Sequence, residues 1–127
     1  LFNLPDDKLD IQIFNPKGSI PVEEYEFPFP NNSLDNIISY SIFTHLQTLS
    51  AAQKYMSEIK RTLKIGGKMF ISWYRSPPDP SANHYIGRTV YNEWDILSMM
   101  NGFIYDFTYG GHSGVYYDQW GIFCTKA

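Results

Sequence analysis

The titratable residue whose position best suits catalysis is His45. It follows an apolar strand candidate at residues 34–40 and the short segment 41–44 that ends it. In an open α/β sheet, ligands bind beyond the carboxyl ends of the strands, and a neutral imidazole at that edge can accept a proton from a substrate. His45 is therefore a candidate general base. The alternative is a histidine at a helix start that bonds only to backbone.

Other catalytic patterns are absent from the sequence. Neither Ser41 nor Ser72 stands in a G-x-S-x-G elbow. There is no glycine motif for a dinucleotide or a P-loop, and the glycine-rich run 110–114 is expected to be a turn between two strands. We expect no metal site, because the histidines are far apart and share no ligand spacing: His45, His84 and His112.

The composition indicates one domain and disfavours several function classes. The chain has 127 residues, 43% of them apolar, which is enough for one core. A net charge of −3 without a long basic run argues against nucleic-acid binding. No run approaches the ~20 apolar residues of a membrane span. The single cysteine excludes an internal disulfide and fits a cytoplasmic location.

A βαβ unit is predicted over residues 34–74, after an irregular, proline-rich lead-in at 1–33. The first strand has an apolar middle that suggests burial on both faces. A helix capped by Thr48 or Ser50 follows, and Gly66-Gly67 is expected to end it before a strand at 68–74. The helix has one apolar face and one polar face; these are Ala52, Tyr55, Met56, Ile59 and Leu63 against Gln53, Lys54, Ser57, Glu58 and Arg61.

The second half is predicted to be a helix followed by two antiparallel strands, over residues 92–127. Asn92 can cap a helix that runs to Met100. Before it, residues 75–91 form an irregular, proline-containing loop. That loop either closes over a substrate at the strand ends or is an ordinary surface connection.

Three segments resemble class I S-adenosylmethionine-dependent methyltransferases. They are FPFPNNSLD at 27–35, SYSIFTHL at 39–46 and YMSEIKRTLKIGGK at 55–68. The last is the strongest match and looks like the helix and glycine turn before the family's fifth strand. The resemblance covers residues 14–127, and its specific part is 27–68.

The resemblance implies an α/β fold with a Rossmann-like methyltransferase sheet and an antiparallel strand pair at the C-terminus. Family members hold the cofactor with a glycine-rich loop after the first strand and an acidic residue after the second. About 30 residues precede the 27–35 segment, too few for these elements. We therefore expect the C-terminal half of such an enzyme, truncated on its N-terminal side, binding S-adenosylmethionine weakly or not at all and inactive alone.

The resemblance also implies candidate site residues. Cofactor-binding residues would be Asn31, Asn32, Ser33, Tyr40 and Ser41. Substrate-binding residues would be Thr44, Trp73 and Tyr74, with His45 as the base. Tyr40, Trp73 and Tyr74 can attract the sulfonium by cation–π contact. The alternative for each of these rings is packing in the core. The family's Asn/Asp-Pro-Pro-Tyr motif for amine methylation is absent; residues 41–44 stand near its position. A small-molecule acceptor, such as a hydroxyl, is expected rather than a nucleic-acid base.

Two other interpretations remain open. The first is a non-enzymatic methyltransferase-like module for interaction or dimerisation, in which a homodimer forms through an exposed sheet edge. The second is an aromatic-rich carbohydrate or ligand binder, which rests only on the abundance of 10 Tyr and 3 Trp.

Overall fold

The predicted βαβ unit is present in the computed structural model, which describes residues 20–75, 89–110 and 119–127. Short 3-10 turns lie at Val22–Glu24 and Phe43–His45. The helices and strands are β1 (Leu34–Ser39), α1 (Leu49–Thr62), β2 (Leu63–Arg75), β3 (Val90–Tyr91), α2 (Glu93–Ser98), β4 (Phe103–Gly110) and β5 (Gln119–Lys126).

Some sequence predictions fall outside the described residues. These are the lead-in up to residue 19, most of the 75–91 loop, most of the 110–114 glycine run, and His84 and His112. The loop prediction is wrong at its end, because Val90–Tyr91 pairs as a strand with β2. Helix α2 is capped by the Asn92 side chain, which accepts from the Asp95 amide at 2.8 Å, and ends at Ser98 rather than Met100.

The sheet has the order β1-β2-β5-β4, and β3 pairs with β2 beyond the end of β1. Strands β1 and β3 run parallel to β2, whereas β5 runs antiparallel to both β2 and β4. The parallel pair is joined through α1, as a crossover connection requires. The predicted α/β sheet with an antiparallel strand pair at its C-terminal end is therefore confirmed.

Helix α1 begins as predicted but ends earlier than expected. The Thr48 hydroxyl accepts from the Ala51 amide at 3.1 Å, and all five residues of the predicted apolar face are buried. The helix ends at Thr62, before Gly66-Gly67, and Leu63 is already extended. A glycine cap is not needed there, because Lys126 Nζ donates to two carbonyl oxygens at that end, those of Lys60 and Leu63.

Glu58 belongs to the predicted polar face of α1, but it is buried, with 4% of its surface exposed. The preceding segment covers it: the Phe27 amide donates to Glu58 Oε2 at 2.9 Å, and Arg61 Nη2 donates to the same oxygen at 2.6 Å. Arg61 also donates to the carbonyl oxygens of Phe27 and Phe29. Glu58 and Arg61 thus fasten the chain before β1 to helix α1.

Strand β1 is buried on one face only, so the prediction of burial on both faces is wrong. Ile37 packs against the core cluster that includes Tyr55 and Ile59 of α1. Ile38 points to the opposite side and is 77% exposed. Phe70, its partner on β2, is only partly buried. We call this opposite side the second face of the sheet. In the described part of the chain, no helix is long and apolar enough to span a bilayer.

Candidate functional site

The candidate site is the turn formed by residues 40–44, which follows β1 at the carboxyl edge of the parallel strands. Ser41 adopts a left-handed conformation there, with φ of +61°. A serine in that region is strained, because its Cβ crowds the backbone. Strained backbone of this kind clusters at functional sites. The sequence carries no glycine or asparagine at this position that could have predicted the turn.

Hydrogen bonds tie this turn to two other segments. The Ser41 amide donates to Ser72 Oγ of β2 at 2.7 Å. The Thr44 hydroxyl donates to the Ser41 carbonyl oxygen at 2.7 Å. The amide of Thr89, just before β3, donates to the Thr44 carbonyl oxygen at 2.8 Å. The carboxyl ends of β1 and β2 and the start of β3 are thereby joined around the turn.

An aromatic surface adjoins the turn on the second face. Tyr40 is 64% exposed, and its ring stacks on Phe70, with centroids 6.4 Å apart and planes 15° from parallel. Phe70 in turn contacts Phe123 of β5, with centroids 4.4 Å apart. Tyr40 therefore presents a ring, supported by Phe70, to solvent at the carboxyl edge of the parallel strands.

His45 is the last residue of the 3-10 turn Phe43–His45, which overlaps the end of the 40–44 turn, and it is exposed. Its backbone amide donates to the Ile42 carbonyl oxygen at 2.9 Å, which fixes the turn that carries the imidazole. The position is compatible with both interpretations from the sequence. A role as general base stays a prediction.

The three residues predicted to bind substrate are buried, namely Thr44, Trp73 and Tyr74. The Thr44 hydroxyl donates its hydrogen bond within the turn, to the Ser41 carbonyl oxygen. Trp73 belongs to the hydrophobic core, and its indole nitrogen is buried without a hydrogen-bond partner in the part of the chain that the structure describes. Because Thr44 and Trp73 are buried, they support the carboxyl edge of the sheet from inside and do not form a surface that a substrate can contact.

Asn31, Asn32 and Ser33 lie at the other end of β1. Their side chains are bonded to Arg61, Lys126 and the Pro30 carbonyl, respectively. The six residues of β1 separate them from Tyr40 and Ser41 by roughly 20 Å at ~3.3 Å per residue. The structure does not bring the two groups of predicted cofactor residues together, so only Tyr40 and Ser41 remain at the carboxyl edge.

Two residues near this edge were not singled out as site residues by the sequence. Ser72 is buried in β2. It is a small polar residue among large apolar neighbours in the sequence, and this contrast could have identified it as a candidate. The phenol of Tyr91 in β3 donates to the Leu46 carbonyl oxygen at 2.5 Å, and burial raises its pKa above the ordinary value. Tyr91 thus fastens β3 to the segment after His45.

Metal-ligating side chains do not gather at the site. Across residues 20–75, 89–110 and 119–127, no three His, Cys, Asp or Glu side chains are close enough together to hold a metal ion. The polar groups of the turn are hydroxyls and backbone amides.

Comparisons with known proteins show which family and fold the chain resembles. Residues 14–71 match the family model described as a methyltransferase domain. Over 55 residues the chain is 34% identical to a protein of Encephalitozoon cuniculi (strain GB-M1) that carries a provisional methyltransferase name. That alignment covers 43% of this chain and 26% of the relative.

Solved structures share the fold at low sequence identity. An S-adenosylmethionine-dependent methyltransferase from Methanosarcina mazei superimposes with a TM-score of 0.66 and 12% identity, over 84% of this chain and 65% of its own. The N-methyltransferase NodS from Bradyrhizobium japonicum WM9, in complex with S-adenosylhomocysteine, gives 0.62 and 12%, over 86% and 53%. The chain thus spans a quarter to two-thirds of these proteins. The resemblance read from the sequence is confirmed, and the fold is that of the methyltransferases.

Proposed function

We propose that this chain is part of a methyltransferase that uses S-adenosylmethionine and acts on a small-molecule acceptor. The observation that carries the proposal is the position of the strained turn within the matched region. The family match at 14–71 includes β1, the turn at 40–44, α1 and most of β2. The described residues that suit a ligand at the carboxyl edge therefore lie inside the part of the chain that resembles methyltransferases.

The groups at the turn fit the methionine end of the cofactor. When bound, S-adenosylmethionine supplies an electrophilic methyl group on a sulfonium. The exposed face of Tyr40 can attract a sulfonium by cation–π contact. The Ser41 hydroxyl, which lies 3.5 Å from that of Thr44, can orient the charged methionine end by hydrogen bonding. Alignment of donor and acceptor is most of what methyl transfer requires from a protein.

His45 is the proposed proton acceptor. It is exposed, and it directly follows the turn. A neutral imidazole there can take the proton of a hydroxyl acceptor as the new bond forms. In a protein that contains the whole domain, His45→Ala should lower kcat strongly while the affinity for S-adenosylhomocysteine stays similar. An unchanged kcat would remove this role.

Weak binding by the isolated chain is part of the proposal. Asn31, Asn32 and Ser33 are occupied in contacts around the start of β1. Among the described residues, the predicted cofactor contacts are therefore reduced to the turn and the Tyr40 ring. Each tenfold increase in affinity requires about 1.4 kcal/mol of additional binding free energy, so a site with few contacts binds weakly. We therefore propose that this chain alone is inactive and binds with a millimolar dissociation constant.

Saturation-transfer NMR with S-adenosylmethionine, which carries the sulfonium, tests the proposal at about 1 mM, a concentration that detects binding free energies of about −4 kcal/mol. We expect transfer to be stronger to the methionine-side protons than to the adenine protons. Tyr40→Ala should abolish it. Phe29→Ala removes another exposed ring, one that precedes β1, and should leave it unchanged. Absence of transfer from the folded chain would contradict the proposal.

The second candidate function is a dimerisation module, and the exposed second face favours it. Ile38 projects from β1, which pairs on only one side within the described residues. An apolar edge strand of this kind can pair with a second copy of the chain. Sedimentation velocity distinguishes the two functions. A stable dimer that Ile38→Lys dissociates, and that Ile65→Lys with its similar exposure does not, would support the module.

A further inference from the structure

The structure assigns to Ser72 the role of a positioning residue for the methyl-transfer site; this inference rests on the proposed function. Its hydroxyl holds the turn at 40–44 in the conformation that presents the Tyr40 ring and the Ser41 side chain at the carboxyl edge. Ser72 does not itself belong to the surface that meets a ligand, because it is 1% exposed.

The register of the sheet shows how Ser72 acts. Ser39 is the last residue of β1 and pairs with Ile71, so a longer β1 would continue alongside Ser72. Instead, the Ser41 amide donates to the Ser72 side chain at 2.7 Å. A side-chain oxygen thus takes the place of the next acceptor in the ladder, and the chain turns away from the sheet.

This hydrogen bond compensates the strain of the turn. Ser41 has φ of +61°, a conformation that a serine adopts only when its surroundings hold it there. The bonds from Ser72 and from the Thr44 hydroxyl fix both polar backbone groups of Ser41. Without the Ser72 hydroxyl, the Ser41 amide loses its hydrogen-bond acceptor. The left-handed conformation of Ser41 is then less favoured relative to the extended one.

The neighbouring strand leaves space for this arrangement. Ser72 pairs with Gly121 of β5, which has no side chain on the face they share. The Phe70 ring fills that space: a Cβ added to Gly121 would lie 2.5 Å from it. The same ring supports Tyr40 by stacking. The hydroxyl of Ser72 and the aromatic support of Tyr40 are therefore next to each other on β2.

Amide hydrogen exchange measured by NMR tests the inference without any ligand. In Ser72→Ala, we expect the Ser41 amide to exchange at least about tenfold faster, since a lost hydrogen bond costs on the order of that factor. Ser39→Ala is the matched control, because Ser39 is also 1% exposed and lies on the adjacent strand. The Ser39 hydroxyl is directed at the Tyr55 hydroxyl, 3.5 Å away on α1, and not at the turn. In this control the Ser41 amide should exchange within about twofold of the wild-type rate, because its own hydrogen bond is intact.

Each outcome decides the inference. A Ser41 amide that exchanges equally in the wild type and in Ser72→Ala would overturn it, and so would an equal acceleration in both variants. If Ser72→Ala does not fold, Ser72→Cys keeps the size with a weaker acceptor and should give an intermediate rate. Saturation transfer from the protein to S-adenosylmethionine is then compared between the wild type and Ser72→Ala. Its absence in the wild type would reject the proposed function, whereas equal transfer in wild type and Ser72→Ala would reject only the positioning role.

Discussion

Glu58→Gln is expected to lower the free energy of unfolding by about 2 kcal/mol at pH 7, because it removes a buried, paired carboxylate. Hydrogen bonds from Arg61, with help from the Phe27 amide and Lys54, lower the pKa of Glu58 from 4.5 to about 2. The charged form is therefore stabilised in the folded chain. Glutamine keeps the shape of the side chain but not its charge, so Arg61 and Lys54 lose their ionic partner.

The sign of the pH dependence follows from the lowered pKa. The stability contributed by Glu58 is fully present above pH 4.5 and is lost as the pH falls toward about 2. Urea denaturation of wild type and Glu58→Gln between about pH 7 and about pH 3 should show two curves that converge in acid. The control Glu24→Gln changes an exposed residue and should stay within about 0.5 kcal/mol of wild type. A difference that does not depend on pH would contradict this account.

Gly67→Ala is expected to destabilise the fold by about 2–3 kcal/mol, because the new methyl group has no room. A Cβ at Gly67 would lie 2.8 Å from the carbonyl oxygen of Lys64 and 2.9 Å from the buried Leu63 side chain. The first of these is backbone, which cannot move aside as a flexible side chain can. The substitution must therefore disturb the start of β2, where the register with β1 shifts between Leu34 and Asn36.

Gly66 provides the matched control for this prediction. A Cβ there would meet nothing within 4 Å, but the residue has φ of +76°. Gly66→Ala should thus cost only about 1 kcal/mol from backbone strain, and Gly66→Asn less, since asparagine tolerates that conformation. Thermal or urea denaturation should rank Gly67→Ala as the most damaging of the three. A larger effect of Gly66→Ala would show that conformation, not space, governs this segment.

The βαβ unit was predictable because its signals are local. The helical spacing of Ala52, Tyr55 and Ile59 and the capping side chain of Thr48 each act within a few residues, and the same holds for Asn92 at the start of α2. The end of α1 was not predictable in this way. It depends on Lys126, which lies more than sixty residues along the chain from the carbonyls it binds.

The features of the fold and of the site that the sequence did not reveal depend on tertiary contacts. Glu58 lies on the polar face of α1, where the sequence predicts exposure to solvent. It is buried because the segment at Phe27 crosses over it. Ser41 is left-handed because Ser72, on another strand, accepts its amide hydrogen bond. The separation of residues 31–33 from Tyr40 follows from the length of β1, which places neighbours in the sequence at opposite edges of a sheet.

The most direct test of the central claim is to follow backbone amide signals by two-dimensional NMR while S-adenosylhomocysteine is added up to about 1 mM. If the carboxyl edge of β1 and β2 is the cofactor-facing part of a methyltransferase, the amides of residues 40–44 should shift in a dose-dependent manner. Those of residues 31–33, at the opposite edge, should not. Shifts confined to residues 31–33 or to the second face, or none at all in a folded chain, would contradict it.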